Sequence, residues 1–380
     1  MKFTVSADIE SAETLPAEAF TDPAFLKREL ETIFKTNWLL VPERSASGDD
    51  GRSMADILKL RGAHAPFSLL GQPFFLQRDW KAKLHCFPNV CTHAWYPLIE
   101  GPGRQKSIVC QQHGRSFDCE GKFVAQSGFS AKTMKNFPRP CDHLQDLAVG
   151  DWNPFFFACL GKPTQSLEKL LAPMKESVSK LPLGDFKRTG REEVREVEGN
   201  WKQHSWNYMD KFHIAFIHRA PGGLADALEM STYQTELYGL SSLQWAYAAN
   251  PEHGFDPKHL PARFRDPKHP ERRVFSLWWF VFPNMTFNFY PWGLSINSYN
   301  PVPDDPNKTL FLWYHYVWDE KKYAKREEYW LSSQVDAEDI HAMQQMRRGT
   351  RSGFAPRGRF APGEEAGPHW FHRLVAEGAA

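Results

Sequence analysis

The chain has 380 residues, enough for two or three domains, and its formal net charge of +1 gives no ground for a polyanionic partner such as nucleic acid. Its most apolar runs, around 155–160 and 277–282, are far too short to span a bilayer, and the first residues lack a basic-then-apolar secretory pattern, so no membrane association is expected. The six cysteines show no framework-like spacing, which fits a reducing cytoplasm, while 14 Trp and 29 Phe can build both core and pocket.

In chain order, Asp22-Pro23 reads as N-cap and first residue of a helix with Phe25, Leu26, Leu30, Ile33 and Phe34 on its apolar side. A strand-rich stretch follows over 67–70, 74–78, 84–87, 107–110 and 117–124, with Gly71-Gln72 and Glu120-Gly121 as hairpin turns. Two short pairs interrupt it: Cys91-Thr92-His93 and, 16 intervening residues later, Cys110-Gln111-Gln112-His113. One thiolate and one imidazole from each loop suit a two-iron, two-sulfide cluster in which one iron takes both cysteines and the other both histidines. Zinc also accepts two Cys and two His, but its usual spelling pairs Cys with Cys and His with His. The other cysteines, Cys86, Cys119, Cys141 and Cys159, read as buried free thiols.

Beyond about Leu160 the pattern changes. Residues 166–180 read as a helix and 182–190 as a loop; strands follow over 234–248, 274–282, 285–290, 295–302 and 309–318. Between them lies Asp210-Lys211-Phe212-His213-Ile214-Ala215-Phe216-Ile217-His218. Two histidines with a carboxylate and open positions are the donor set of a non-haem iron oxygenase. Positions five apart lie about 140° apart around a helix, so both rings reach one metal only if the helix bulges or unwinds near His218, ahead of Pro221-Gly222-Gly223. Asp210, three residues before His213, is placed to take the second ring N–H of that histidine. A late helix opens with Gln334-Val335-Asp336-Ala337-Glu338-Asp339-Ile340, its acids ordinary for a helix start. Arg347, Arg348, Arg351, Arg357 and Arg359 form a basic stretch, read as a solvated face or a docking patch for an acidic electron donor. His315 reads as a satisfied sheet histidine, His204 as a cap, surface or near-site residue, and His369 and His372 as non-ligands.

These residues carry a resemblance. Cys91, His93, Cys110, His113 and Gly114 match the C-x-H…C-x2-H-G spelling, and Asn207, Asp210, His213 and His218 match N-x2-D-x-Y-H-x4-H with Phe212 in place of the usual Tyr. The chain resembles the catalytic (alpha) subunit of Rieske non-haem iron oxygenases, the aromatic-ring-hydroxylating dioxygenase family, over nearly its whole length. Two departures are Gln111-Gln112 and Arg115, where the familiar spelling is C-P-Y-H-G-W. The resemblance implies an α+β fold: a small all-β Rieske domain plus a helix-grip-like catalytic domain with a curved antiparallel sheet and a mononuclear iron site. The expected boundaries are an N-terminal helical segment over 1–40, the Rieske [2Fe-2S] domain over 41–163 and the catalytic domain over 164–380.

The resemblance also implies Asp339 as third iron ligand beside His213 and His218, with Asp336 next in line, and Asn207 close behind the site. Asp210 would carry electrons from His113 of the partner subunit, within a trimer or other homo-oligomer. The implied cofactors are the cluster, Fe(II) and O2, with NAD(P)H electrons delivered by a reductase, with or without a ferredoxin. Such a terminal oxygenase hydroxylates or oxidatively demethylates a small organic substrate. Asn207-Tyr208-Met209-Asp210 and the stretch from Pro362-Gly363-Glu364 to Phe371-His372-Arg373 are similar to members acting on quaternary amines and betaines. Aromatic ring hydroxylation is the alternative. A Rieske electron-transfer protein without oxygenase chemistry, a different class, leaves the residues after Leu160 without a purpose.

Overall fold

Asp22 caps α1 (Pro23–Glu29) by accepting from Ala24 N at 2.8 Å, with Pro23 as the first helical residue. In the computed structural model, which describes residues 2–42, 53–329 and 332–380, the chain divides into two compact units: 34–164, and 1–33 together with 165–380. Residues 43–52, just past the expected boundary at 40/41, lie outside the described residues.

The unit spanning 34–164 is built on β1 (Leu39–Leu40), β2 (Ala63–Leu69), β3 (Gln72–Arg78), β4 (Leu84–Pro88), β5 (Gly103–Arg104), β6 (Ser107–Val109), β7 (Ser116–Asp118), β8 (Phe123–Ala125), β9 (Ala148–Trp152) and β10 (Phe155–Cys159). They make three antiparallel sheets, ordered β4-β3-β2-β5, β6-β7-β8 and β1-β10-β9. Leu70 and Gly71, both at positive φ, close the β2–β3 hairpin, as its right-handed twist requires. The expected strand over 117–124 is two arms of a hairpin: Asp118 Oδ1 accepts from Glu120 N and Lys122 N, both at 2.9 Å, and folds the chain back. Phe75, Phe87, Ile108 and Phe117 pack around Cys91 and Cys110. Cys86, Cys119 and Cys159 are buried free thiols, and burial pushes the Cys86 thiol up to about 12. Cys141, expected buried, is exposed.

In the second unit, Ser166 caps α2 (Leu167–Ser177). A strand, β11 (Lys187–Glu198), then runs where the expected loop ends. Its charges gave no strand pattern, because it lies at a sheet edge with one partner and its formation depends on pairing with β17 (Asp305–Val317). Next comes α3 (Trp201–Met209), begun by a reciprocal cap: Asn200 accepts at the helix start while Asn200 N donates to Gln203 Oε1 at 2.9 Å. The expected strand over 234–248 is a hairpin, β12 (Gln234–Tyr238) and β13 (Ser241–Tyr247), turning at Gly239 with φ 62°. With β14 (Val274–Val281), β15 (Met285–Tyr290) and β16 (Gly293–Val302) they form one seven-stranded antiparallel sheet, ordered β11-β17-β16-β15-β14-β13-β12. Every residue of β14 and β15 is buried, so both faces of the sheet centre are covered. Helix α3 packs on β16, on α4 (Ser332–Thr350) and on α5 (Ala366–Gly378). The α+β expectation, one sheet-rich unit and one unit whose curved antiparallel sheet grips a helix, is what the chain adopts.

The basic stretch is divided: Arg348 and Arg351 are exposed, while the other three arginines are engaged within the fold. Arg357 donates to Thr14 O at 2.7 Å and Thr4 O at 3.0 Å, Arg359 donates to Glu10 O, and Arg347 meets Glu198 at 3.1 Å. These side chains tie the N-terminal segment and β11 into the second unit. His372 Nδ1 accepts from Leu15 N at 2.9 Å and His369 Nε2 meets Ser6 O at 2.8 Å, which agrees with reading them as non-ligands.

Candidate functional site

The two Cys–His loops of the first unit are built alike. Cys91 N donates to Tyr96 O at 2.9 Å and Trp95 N to Cys91 O at 3.0 Å; Cys110 N donates to Arg115 O at 2.8 Å and Gly114 N to Cys110 O at 3.0 Å. Each turns through a left-handed residue, Trp95 at φ 62° or Gly114 at φ 67°. Glycine adopts that conformation freely, whereas Trp95 holds it at a cost of about 1–2 kcal/mol, with its ring 82 % exposed. Both thiols are buried, while His93 is half-buried and His113 exposed, their rings 4.8 Å apart. Thiols inside and imidazoles at the rim suit a cluster whose inner iron takes both thiolates and whose outer iron takes both imidazoles. Among the described residues, the donor set drawn within 4.8 Å for a single ion is His213, His218 and Asp339, not these four.

The second constellation depends on a helix that stops early. The sequence pattern requires a bulge or unwinding near His218, and the one-turn helix Ile214–Ile217 does end there, with His218 outside helical conformation (φ −99°, ψ 36°); a further break falls at Asp210, which ends α3 in extended conformation (φ −90°, ψ 97°) and caps the next turn. Asp210 Oδ1 accepts from Phe212 N at 2.8 Å; a 3-10 turn, Lys211–His213, and one helical turn, Ile214–Ile217, follow. The 3-10 turn that ends at His213 and the unwinding at His218 remove the angular mismatch between the two rings. His213 Nε2 and His218 Nε2 lie 3.1 Å apart, and Asp339 Oδ1 on α4 is 3.5 Å from the first and 3.1 Å from the second. Two ligands at right angles, each about 2.1 Å from a metal, stand about 3 Å apart, so the three atoms fit one face of an octahedron. Burial alone raises the Asp339 carboxyl, but hydrogen bonds and charge from His213 and His218 outweigh it and hold Asp339 well below the usual carboxylate range.

The surrounding groups differ in part from expectation. The Nδ1 of His213 is met by the backbone carbonyl of Asp210; its carboxylate stays 3.8 Å away, because it is engaged in capping Phe212. Asn207 donates to Asp339 Oδ1 at 2.7 Å, as its placement behind the site implied. Asp336 lines the cavity but is not in the three-donor set. Glu338, read as an ordinary helix-start acid, instead takes His218 Nδ1 at 2.8 Å and is itself held by Gln334 Nε2 at 2.7 Å. His218 is thus clamped between adjacent acids of α4, one at each ring nitrogen. The signal for Glu338 was Gln334 one turn earlier beside a ligand candidate, which is too common a pairing to single out.

The triad forms part of the wall of a cavity of about 620 Å³. Tyr290 and Trp292 stack at 5.1 Å, Tyr233 and Trp278 at 6.0 Å, and Tyr299 and Phe311 at 5.7 Å, so paired aromatic faces line it. Asp336 and Glu327 add acids, and Arg195 and Arg326 add cations. His315 reaches this wall while its Nδ1 is satisfied by Tyr323 OH at 2.9 Å. His204 is neither cap nor surface residue: it is buried, stacks on Tyr299 at 5.6 Å, and burial depresses it to about 4. No helix among the described residues is long and apolar enough to cross a membrane.

Comparison with known proteins gives a consistent picture. Residues 183–379 match the family profile of the ring hydroxylating alpha subunit (catalytic domain), and 54–138 match the Rieske [2Fe-2S] domain. The chain is 28 % identical to the chloroplastic choline monooxygenase of Arabidopsis thaliana, covering 98 % of this chain and 85 % of that one. It is 23 % identical to the carnitine monooxygenase oxygenase subunit of Escherichia coli strain K12, covering 98 % and 95 %. Its fold is similar to that of the quaternary ammonium Rieske monooxygenase CntA (TM-score 0.77, 21 % identity, all of both chains). It is also similar to naphthalene 1,2-dioxygenase (TM-score 0.70, 16 % identity, 100 % of this chain and 96 % of that one).

Proposed function

The chain belongs to the ring-hydroxylating oxygenase alpha subunits that carry a Rieske domain, and from that premise we propose that it is a terminal oxygenase acting on a quaternary ammonium or betaine-type compound. It is an oxidoreductase with a Rieske [2Fe-2S] cluster and a mononuclear iron that works with dioxygen. Cys91, His93, Cys110 and His113 would hold the cluster; His213, His218 and Asp339 would hold the iron. An iron with open positions there supplies the centre at which dioxygen is activated by electrons delivered one at a time.

The residues of this chain do the rest. Asn207 pins the Asp339 oxygen that faces both imidazoles. Glu338 fixes the His218 tautomer with Nε2 toward the metal and raises its basicity. The Asp210 carbonyl does the same for His213. The aromatic walls exclude water and offer ring faces to a cation, and Arg195 and Arg326 offer charge to a carboxylate. The observation that carries the substrate reading is this cavity, with stacked aromatic faces and acids beside the metal triad. A flat neutral arene would use the faces but not the charges.

Coupled NADH and oxygen consumption, run with a matched reductase on a panel of choline, carnitine, short betaines and neutral arenes, tests it. Charged methylammonium compounds are expected to drive uptake; stimulation by arenes alone refutes the substrate class. For Glu338→Ala we expect iron affinity or turnover to fall about 10–100-fold, with Glu338→Gln milder. Chelator competition on the reconstituted protein measures it, and unchanged iron retention in Glu338→Ala contradicts the clamp.

Electrons are proposed to cross between copies, from His113 of the partner subunit to Asp210, in a homo-oligomer fed by an NAD(P)H-dependent reductase in the cytoplasm. Exposed Phe212, Phe216 and Ile217 beside Asp210, and exposed Trp95 beside the cluster loops, support such a contact. A related quaternary ammonium Rieske monooxygenase is described with inter-subunit electron transfer.

A further inference from the structure

Arg115 departs from the family spelling, which has Trp after the C-x2-H-G turn. It is 1 % exposed. Its guanidinium lies over the rings of Phe123 and Phe129, each 5.1 Å away. Its three nitrogens are all engaged: Nε donates to Gln126 Oε1 at 2.7 Å, Nη1 to Thr92 Oγ1 at 2.7 Å, and Nη2 meets Asp142 Oδ1 at 3.3 Å.

Each partner leads to the cluster loops. Thr92 sits between Cys91 and His93, and its hydroxyl also donates to Asp142 O at 3.1 Å. Gln126 places its amide nitrogen 3.1 Å from His93 Nδ1. Arg115 itself follows His113 by two residues, and its carbonyl accepts from Cys110 N. One buried fork therefore touches the first loop, the second loop and the support of an imidazole. Asp142 also accepts from Arg139 N at 2.8 Å, with Arg139 Nε 4.0 Å away, so its negative charge is shared between two arginines.

A buried ion pair adds little net stability over an apolar replacement of similar size. Keeping a desolvated cation here therefore calls for another use. Reduction of the cluster by one electron from the reductase adds one negative charge and changes no other bond. A fixed cation in a low-dielectric pocket favours that reduced state, since cluster potentials follow local charge and hydrogen bonding.

We propose that Arg115 is a positioning residue that locks both cluster loops through Thr92 and Gln126 and, with Asp142 as its counter-charge, sets the reduction potential of the cluster upward. This rests on the assignment of Cys91, His93, Cys110 and His113 as cluster ligands.

The test is a spectroscopic redox titration of the purified full chain, with iron and sulfide counted first. A wild-type sample without a Rieske-type cluster refutes the ligand assignment, which separates that failure from failure of the role given to Arg115. In cluster-loaded protein, Arg115→Met is expected to weaken reduction about tenfold or more, about 59 mV for a one-electron couple. Asp142→Asn, which leaves the cation unbalanced, is expected to shift the potential the opposite way. A purely structural role predicts no such opposed pair. Unchanged potentials in both variants, or shifts of the same sign, overturn the proposal. Should Arg115→Met fail to hold a cluster, the sign for Asp142→Asn decides alone: a rise sustains it, and no rise refutes it.

Discussion

Asp339→Ala is expected to leave the cluster absorption intact while turnover falls by more than about 100-fold, the upper end of what losing a group that merely supports a ligand costs. Asp339 Oδ1 is the atom that converges on both imidazole nitrogens, at 3.1 and 3.5 Å, and Asn207 holds it there. Removing it leaves two imidazoles, one clamped by Glu338 and one by a backbone carbonyl, without the anionic ligand that balances a divalent metal. Iron should fall by one atom per chain. Asp336→Ala is the informative control: it lies one helical turn earlier and lines the same cavity, but outside the three-donor set. It should keep its iron and affect substrate use instead. Retention of iron and turnover by Asp339→Ala, with loss in Asp336→Ala, reverses the assignment.

Lys202→Met is expected to lower the stability of the second unit by about 3–5 kcal/mol. Lys202 Nζ and Glu29 Oε1 meet at 2.8 Å with both side chains fully buried, and Trp201 Nε1 donates to the same carboxylate at 3.1 Å. Burial pushes the Glu29 carboxyl up and the Lys202 ammonium down, each toward its neutral form, and their mutual attraction only partly opposes this. Neither charge is free to neutralise without loss: an orphaned Glu29 would stay fully buried with one indole donor. Because Lys202 lies on α3, the change reaches the helix that leads into Asp210 and His213. Thermal unfolding should drop by about 6–20 °C for a unit of this size. Adding Glu29→Leu should recover much of the loss. A Lys202→Met protein with unchanged melting refutes the argument.

What the residues disclose on their own is a matter of local spelling. The two Cys–His loops and the His213–His218 pair stand out because rare residue types recur at short spacing, and the α1 cap and the β2–β3 turn because their chemistry is local. Long-range pairing is not legible. β11 forms at a sheet edge whose charges hide its partner, and the break at Asp210, unlike the unwinding at His218, leaves no mark in the periodicity. Glu338 looks like any acid of a helix start, since only the fold brings it to a histidine 120 positions away. Arg115 is visible as a departure in spelling, but its meaning requires Gln126 and Asp142, which come together only through the β7–β8 hairpin and the segment after it. The aromatic load announces a pocket without saying which rings line it.

The proposed chemistry needs two metal centres of different kind in one chain. Iron and acid-labile sulfide, counted per chain in protein purified without oxygen, test that most directly. Three irons and two sulfides are predicted, two irons in the cluster and one at His213, His218 and Asp339. Two irons with two sulfides would describe an electron carrier, and zinc without sulfide a structural metal protein; either result contradicts the account.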